Sequence, residues 1–311
     1  MFRFHEEPRG SYTLTMMNLP HLELLQPDDE RRIEEVFAEL RIRYKDYKDP
    51  WGFNLDLCEK TVRKVFPMYR SYFKVRVFGH ENVKDHPYIV ASNHTGQLPI
   101  DAALITLAFA MEVSPSRVLR AMVERFMAQL PFVGDFSAQT GAILGDRTNC
   151  EYLIDHGESI LVFPEGVRGI SKNTADYYKL RPFHQGFYRI AIQKKTPILP
   201  VCVIGAEEMF PFVFHSKKLA KILHVPAIPL SLNYFPLPSP IDIYIGEEIS
   251  IPSHFEEDTA EKEVKENVYH IENTIKRMIV TGLKNRRPFL DPLRKPISKF
   301  VIKEFRTKGN T

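Results

Sequence analysis

PYIVASNHTGQLPIDAALITLAFAM, residues 87–111, is the stretch whose reading decides the fold. Its first six residues form a short apolar run, the pattern of a strand buried on both faces. Residues 93–100 carry Asn93, Gly96 and Pro99, which punctuate a loop. Residues 101–111 are apolar over a helical length. The alternation recurs downstream. RVLRAMV (117–123), GAILG (141–145), SILVFP (159–164) and TPILPVCVIG (196–205) read as strands, and 148–156 and 186–193 as helices, with a further short helix running through Leu130. YFKVRVF (72–78) and IDIYIG (241–246) alternate apolar with polar residues and complete the set. Strands alternating with helices predict an α/β fold: a mixed, largely parallel sheet flanked by helices.

Outside this core, residues 1–28 show no regular pattern. Asp28, Asp29 and Glu30 open a helix, acids in a first turn suiting its dipole. Its expected core positions are Ile33, Val36, Phe37, Leu40 and Ile42, and Pro50 ends the segment. A second helical pattern, 57–66, repeats Val62, Val65 and Phe66, and the two predict an N-terminal helical hairpin. Five prolines in 223–240 mark a loop. A long charged helix over 256–283 leads into a basic tail. The chain thus divides into an N-terminal helical region (1–71), an α/β domain (72–255) and a C-terminal helix with its basic tail (256–311).

A chain of 311 residues makes one large domain or two modest ones. Its 44% apolar and 26% charged residues exclude wholesale disorder. Cys58, Cys150 and Cys202 lie far apart with no C-x-x-C pair, which excludes a disulfide scaffold or a cysteine zinc site and suits a reducing compartment. No run approaches the roughly 18 apolar residues of a spanning helix, and the N-terminus has no apolar signal core. The expected location is therefore cytoplasmic. Charge is uneven: residues 276–311 hold eleven Lys or Arg against two acids, so the remainder is net acidic. Such a tail suits an anionic partner, lipid headgroups or nucleic acid, and equally reads as a solvated basic helix.

Three clusters follow strands, where ligands of open α/β sheets bind. In the first, His94 and Asp101 are the parts of a general base and the carboxylate that holds its tautomer. On a continuous helix they would stand about 10 Å apart, so Gly96 and Pro99 must fold Asp101 back. The other reading is a surface histidine beside a helix-capping aspartate. In the second, Phe163-Pro164-Glu165-Gly166-Val167-Arg168, glycine permits close ligand approach and Arg168 suits a phosphate, while Glu165 either binds a hydroxyl or orders the loop. A Pro-Gly turn with solvated charges is the alternative. The third is Gly145-Asp146-Arg147, a pocket arginine or a helix cap. Lys179 and Arg181, with His184 nearby, would extend a cationic patch with Arg147 and Arg168 for a phosphorylated substrate. There is no G-x-S-x-G, Walker A or G-x-G-x-x-G motif, so a serine-hydrolase elbow and nucleotide binding have no support; no H-E-x-x-H suggests a metal.

Taken in order, these blocks resemble the glycerolipid acyltransferase family, which includes bacterial 1-acylglycerol-3-phosphate acyltransferases. Asn93-His94 matches its first block, although six residues rather than four separate His94 from Asp101. The run from Gly141 to Arg147 matches the second. Phe163 to Arg168 matches Phe-Pro-Glu-Gly-Thr-Arg-Ser, with Val167 in the Thr place and Gly169 in the Ser place. Ile198-Leu199-Pro200-Val201 matches the fourth, and Val75 to Asn82 and Gly186 also look like the family; the likeness spans about 72–250. It implies direct acyl transfer from an acyl thioester on coenzyme A or acyl carrier protein to a lysolipid or alcohol hydroxyl. His94 would be the base, Asp101 its orienting group, and Arg147, Glu165, Gly166 and Arg168 the acceptor site. No cofactor, metal or nucleic acid is implied.

A lipid substrate also implies a peripheral membrane protein on the cytoplasmic face. Three segments could reach the bilayer: the N-terminal helices, Met209-Phe210-Pro211-Phe212-Val213-Phe214 beside Lys217, Lys218 and Lys221, and the basic tail. The aromatic run reads equally as core or acyl-channel lining, and the hairpin as packed on the core. Two other functions stay open: a catalytically inactive scaffold binding lipid or acyl thioester, and an acyl thioesterase.

Overall fold

The computed structural model describes residues 3–6, 12–15, 25–95, 98–170, 172, 174–210, 213–215, 229–231, 235–287 and 289. Its frame is a seven-stranded sheet. In chain order, after a hairpin of β1 (Arg3–Glu6) and β2 (Tyr12–Thr15), come α1 (Pro27–Arg43), α2 (Leu55–Pro67), β3 (Arg76–Phe78), β4 (Ile89–Ser92), α3 (Ile100–Met111) and β5 (Arg120–Val123). Then follow α4 (Arg125–Ala128), α5 (Val133–Gln139), β6 (Ile143–Leu144), α6 (Arg147–Asp155), β7 (Ile160–Val162), α7 (Val167–Ile170), α8 (Gly186–Lys194) and β8 (Ile198–Ile204). A second small hairpin, β9 (Val213–His215) with β10 (Pro229–Ser231), precedes β11 (Asp242–Ile245) and α9 (Glu261–Lys284).

The sheet order is β3-β11-β8-β4-β7-β5-β6. Five strands from β8 to β6 run parallel; β11 pairs antiparallel with β8 and parallel with β3. The chain leaves β4 toward β5 on one side and leaves β7 toward β8 on the other. Right-handed crossovers then send their helices to opposite faces. Accordingly α3, covered by α1, lies on one face, and α6, α8 and α9 pack together on the other. Loops diverging from two adjacent strands open a crevice at their carboxyl ends. Here those strands are β4 and β7.

Packing follows from composition. All four residues of β4 and all seven of β8 are buried, as central parallel strands require. Helix α3 is buried nearly all round. In α9 one stripe, Val264, Val268, Ile271, Ile275, Ile279 and Leu283, faces the core. Asn54 and Asp146 cap α2 and α6, accepting from the amides of Leu57 at 3.0 Å and Asn149 at 2.8 Å.

Several sequence expectations are corrected. Residues 3–6 and 12–15 form a hairpin where no pattern was read. Helix α1 ends at Arg43, well before Pro50, and Ile42 is 78% exposed. Ile33, Val36, Phe37 and Leu40 are buried on one face, and Ile42, two residues past Leu40, points to the opposite side of the helix. Helices α1 and α2 do form the hairpin, and α1 spends its apolar face on the core. Only Arg76–Phe78 of the 72–78 stretch is strand, because α2 runs on into a π-helical turn over Met68–Tyr72 that buries Tyr69. Helix α5 was not read, and α9 starts at Glu261. Met209 and Phe210 are core residues; Pro211, Phe212, Lys217, Lys218, Lys221 and, in the basic tail, residues 288 and 290–311 lie outside the described residues.

The linker between α1 and α2 is pinned to the amino edge of the sheet by buried polar groups. Arg120 donates to Asp49 Oδ2 at 2.5 Å, Gly141 O at 3.1 Å and the Tyr47 hydroxyl at 3.2 Å. Beside it the Tyr44 hydroxyl donates to Glu158 Oε2 at 3.1 Å. Burial pushes the Glu158 carboxyl up to about 7, against the opposing pull of Arg120. A carboxyl that titrates higher folded than unfolded holds its proton in the native state. Its stabilising contribution is complete below the unfolded value near 4.5 and is lost as pH rises through about 7. Glu158→Gln should therefore raise stability at pH 8.5 by about 1–3 kcal/mol and change it little at pH 5. Urea denaturation at the two pH values measures this; an equal effect at both would show that Glu158 does not titrate in this range.

Candidate active site

The site grows from the carboxyl ends of β4, β7 and β8. Asn93, the first residue past β4, continues the sheet with its side chain: its amide donates to Val203 O at 3.1 Å and accepts from Val203 N at 2.8 Å. This fixes the exit direction of the chain, and His94 follows. Its ring stacks on Phe163 beyond β7, centroids 4.1 Å apart and planes 18° from parallel. His94 Nδ1 lies 2.8 Å from Asp101 Oδ2. The loop between them folds Asp101, in the first turn of α3, back beneath the ring. Asp101 is fully buried and also accepts from Thr95 N at 2.8 Å and Ala102 N at 2.8 Å. Those amides satisfy the carboxylate and keep it oriented. The His94 side chain is 16% exposed. With Nδ1 directed to the carboxylate, Nε2 is the ring nitrogen not engaged by Asp101.

Beyond β7, Gly166 adopts φ +59°, the left-handed region that a glycine accepts without strain. The turn it makes directs Glu165 inward. Glu165 is fully buried and accepts from His94 N at 3.0 Å and Arg181 N at 2.7 Å, and the Lys172 ammonium lies 3.1 Å from one of its oxygens and 2.9 Å from the other. Both of its oxygens are thus engaged by the protein, and the contacts tie three segments together. Arg168, in α7, donates from Nη2 to Pro182 O at 2.9 Å and lies 3.0 Å from His184 Nε2. His184 in turn sits 3.6 Å from the position a Gly166 Cβ would take.

The expected cationic patch is only partly assembled. Arg168 stands at the turn. Arg181 joins through its main chain, while its guanidinium pairs with Asp176 at 2.9 Å, which Lys179 also approaches at 3.4 Å. Arg147 is not brought to this group. Strand β6 lies three strands from β4, about 14 Å at normal spacing. There Arg147 bonds Glu151 at 2.6 Å, Gln193 at 2.9 Å and Glu257 at 2.7 Å.

Sequence reasoning missed Lys172 and Glu207. Lys172 is buried beneath the site, and Glu207, just past β8, lies 3.6 Å from it. Burial pushes the Glu207 carboxyl up to about 7 while Lys172 pulls it down. Glu207 could have been found by the rule that drew attention to the other strand ends. A lysine inside a polar loop carries no such signal.

Comparisons with known proteins point the same way. An acyltransferase family model matches residues 74–204. An uncharacterised protein of Mycobacterium tuberculosis is 31% identical over 255 residues, covering 78% of this chain and 71% of the relative. The 1-acyl-sn-glycerol-3-phosphate acyltransferase of Saccharomyces cerevisiae is 30% identical over 140 residues, 42% of each chain. Among solved structures, the 1-acyl-sn-glycerophosphate acyltransferase PlsC of Thermotoga maritima aligns with a TM-score of 0.45 at 18% identity, covering 80% of this chain and 95% of that one.

Gly169 explains one departure from the family pattern. A Cβ there would lie 2.7 Å from His94 Cβ and 3.0 Å from Glu165 Cβ, so no side chain fits. Alanine ordinarily favours a helical position by about 1 kcal/mol over glycine. Here overpacking outweighs that gain, and Gly169→Ala should destabilise by about 1–3 kcal/mol in chemical denaturation. An unchanged or raised midpoint would show that the His94 loop yields freely.

Proposed function

This chain belongs to the glycerolipid acyltransferase family, and on that footing we propose that it moves a fatty acyl group from an acyl thioester, on coenzyme A or acyl carrier protein, to a hydroxyl of a glycerolipid acceptor such as 1-acylglycerol-3-phosphate. By family it is an O-acyltransferase. The observation that carries the mechanism is the 2.8 Å contact between His94 Nδ1 and Asp101 Oδ2 at the carboxyl edge of the sheet. Nε2 takes the proton of the acceptor hydroxyl as its oxygen attacks the thioester carbonyl. Asp101 holds the tautomer and stabilises the imidazolium. Collapse of the tetrahedral intermediate breaks the C–S bond, and the departing thiolate recovers the proton from His94. Direct transfer is favoured because the cysteines are poor nucleophiles: burial pushes the Cys58 and Cys150 thiols up to about 12, and Cys202 is fully buried.

Arg168 and the Gly166 turn are the groups placed to meet the acceptor's phosphate. The reading extends to docking at the cytoplasmic face of a membrane; contact with a membrane surface is supported by exposed apolar residues, Leu98 in the loop after His94 and Leu130, Phe132, Val133 and Phe136 in the α4–α5 segment that leaves β5. Among the described residues no helix is long and apolar enough to cross a membrane.

Thiol release from acyl-coenzyme A, with and without a panel of lysolipids and alcohols, tests the reading. Acceptor-dependent release is expected. Release with water alone would identify a thioesterase, and none at all a binding scaffold. His94→Ala should lower transfer by roughly 100-fold or more with the fold intact; near-normal turnover would refute the base. Arg168→Ala should chiefly raise KM for a phosphorylated acceptor, and an unchanged acceptor dependence would show that the phosphate binds elsewhere.

A further inference from the structure

We propose that Lys172 is a positioning residue for His94, its ammonium forming with Glu165 a clamp on both main-chain polar groups of that residue. The inference rests on the proposed function, since it concerns the same histidine. Lys172 is 4% exposed, and its nearest partners belong to three separate segments. Nζ lies 2.9 Å from Glu165 Oε2 in the turn after β7, 3.3 Å from the carbonyl oxygen of His94 after β4, and 3.6 Å from Glu207 Oε1 after β8. Glu165 Oε1, which accepts the His94 amide at 3.0 Å, lies 3.1 Å from the same nitrogen. One ion pair thus takes the N–H and the C=O of a single residue, while Asp101 and Phe163 hold its ring.

Charge balance alone would not require this geometry. Glu165 already accepts two main-chain amides, and hydrogen bonds to an ionised oxygen stabilise its charge. A lysine needed only as counter-ion has no reason to reach the His94 carbonyl. Reaching it sets the direction of the peptide on which the imidazole stands. A general base must meet its proton within hydrogen-bond distance, and a displacement of about 1 Å can cost 100-fold in rate.

The test uses the whole chain with acyl-coenzyme A and the acceptor that supports wild-type turnover. Lys172→Met alone leaves two buried carboxyl groups, Glu165 and Glu207, without a cation, so Glu207 is neutralised as well: the decisive variant is Lys172→Met with Glu207→Gln, in which Glu165 keeps the amides of His94 and Arg181, compared with Glu207→Gln alone. The expected result is a kcat at least tenfold below that of Glu207→Gln, with KM for the acyl thioester within twofold. In a His94→Ala background the same added change should cost less than twofold, because the base it positions is already gone. A kcat within twofold of Glu207→Gln, a rise in KM without a fall in kcat, or a tenfold loss in the His94→Ala background would each overturn the inference. So would a double variant that does not fold, since the lysine would then be holding the fold. A wild type that transfers to no acceptor would instead overturn the proposed function, and this inference with it.

Discussion

A carboxylate with no exposed surface must find its compensation inside the protein. Glu165 is that group here, and what compensates it is the site itself: the amides of His94 and Arg181 and the ammonium of Lys172. Each donor comes from a different part of the chain, so satisfying one charge fixes the relative positions of the β4 loop, the turn after β7 and the segment that leads into α8. Glu207 adds the end of β8 to the same group. The sheet supplies the edge at which these loops meet, and the buried charge supplies the reason they stop where they do. Removing either half of such a pair leaves an unbalanced charge in the interior, which is why the arrangement tolerates little drift.

The energetic sense of this design lies in preorganisation. A flexible histidine on an open loop would spend binding energy on finding its orientation each time a substrate arrived. Here the ring is held at Nδ1 by Asp101 and at its face by Phe163, and the main chain is held on both sides of the residue. Asp101 is itself held by the amides of Thr95 and Ala102, the latter at the positive end of α3. Order was therefore built during folding, and the ionic groups that supply it sit in a low-dielectric interior where they act most strongly.

Much of the fold was legible because buried parallel strands carry a local signature. ILV and ILPVCVI are apolar runs and IVAS is apolar up to Ser92; their short lengths and the turn residues that bound them favour strands over buried helix. What failed did so for tertiary reasons. Ile42 is apolar but stands on the side of α1 opposite Ile33, off the i, i+3, i+4 stripe, so it is exposed. In Val133–Gln139 the exposed Val133 and Phe136 give no inward stripe, so no helical period marks α5. At the candidate site, the structure brings His94, Asp101, Glu165, Gly166 and Arg168 together, and all of them follow the strand ends to which the sequence reading was drawn. Arg147 follows a strand too, but its strand stands at the edge of the sheet, and strand order is not written in local sequence. Lys172 was invisible for the converse reason: its importance comes wholly from burial, and a lysine among polar neighbours gives no sign of being buried.

The lengthened spacing between His94 and Asp101 is the feature most easily mistaken for a loss of function. On a straight helix it would separate the pair beyond contact. The structure avoids this by tying the loop at both ends to the same oxygen: Asp101 Oδ2 takes the amide of Thr95 and faces Nδ1 of His94. Lengthening a closed loop from four residues to six costs about 0.4 kcal/mol of closure entropy, well under the worth of a charge-assisted hydrogen bond. The insertion therefore changes what surrounds the histidine, including the exposed Leu98, without changing what holds it. In this chain the longer sequence distance between His94 and Asp101 still permits their contact, because that contact is made at the ends of the loop.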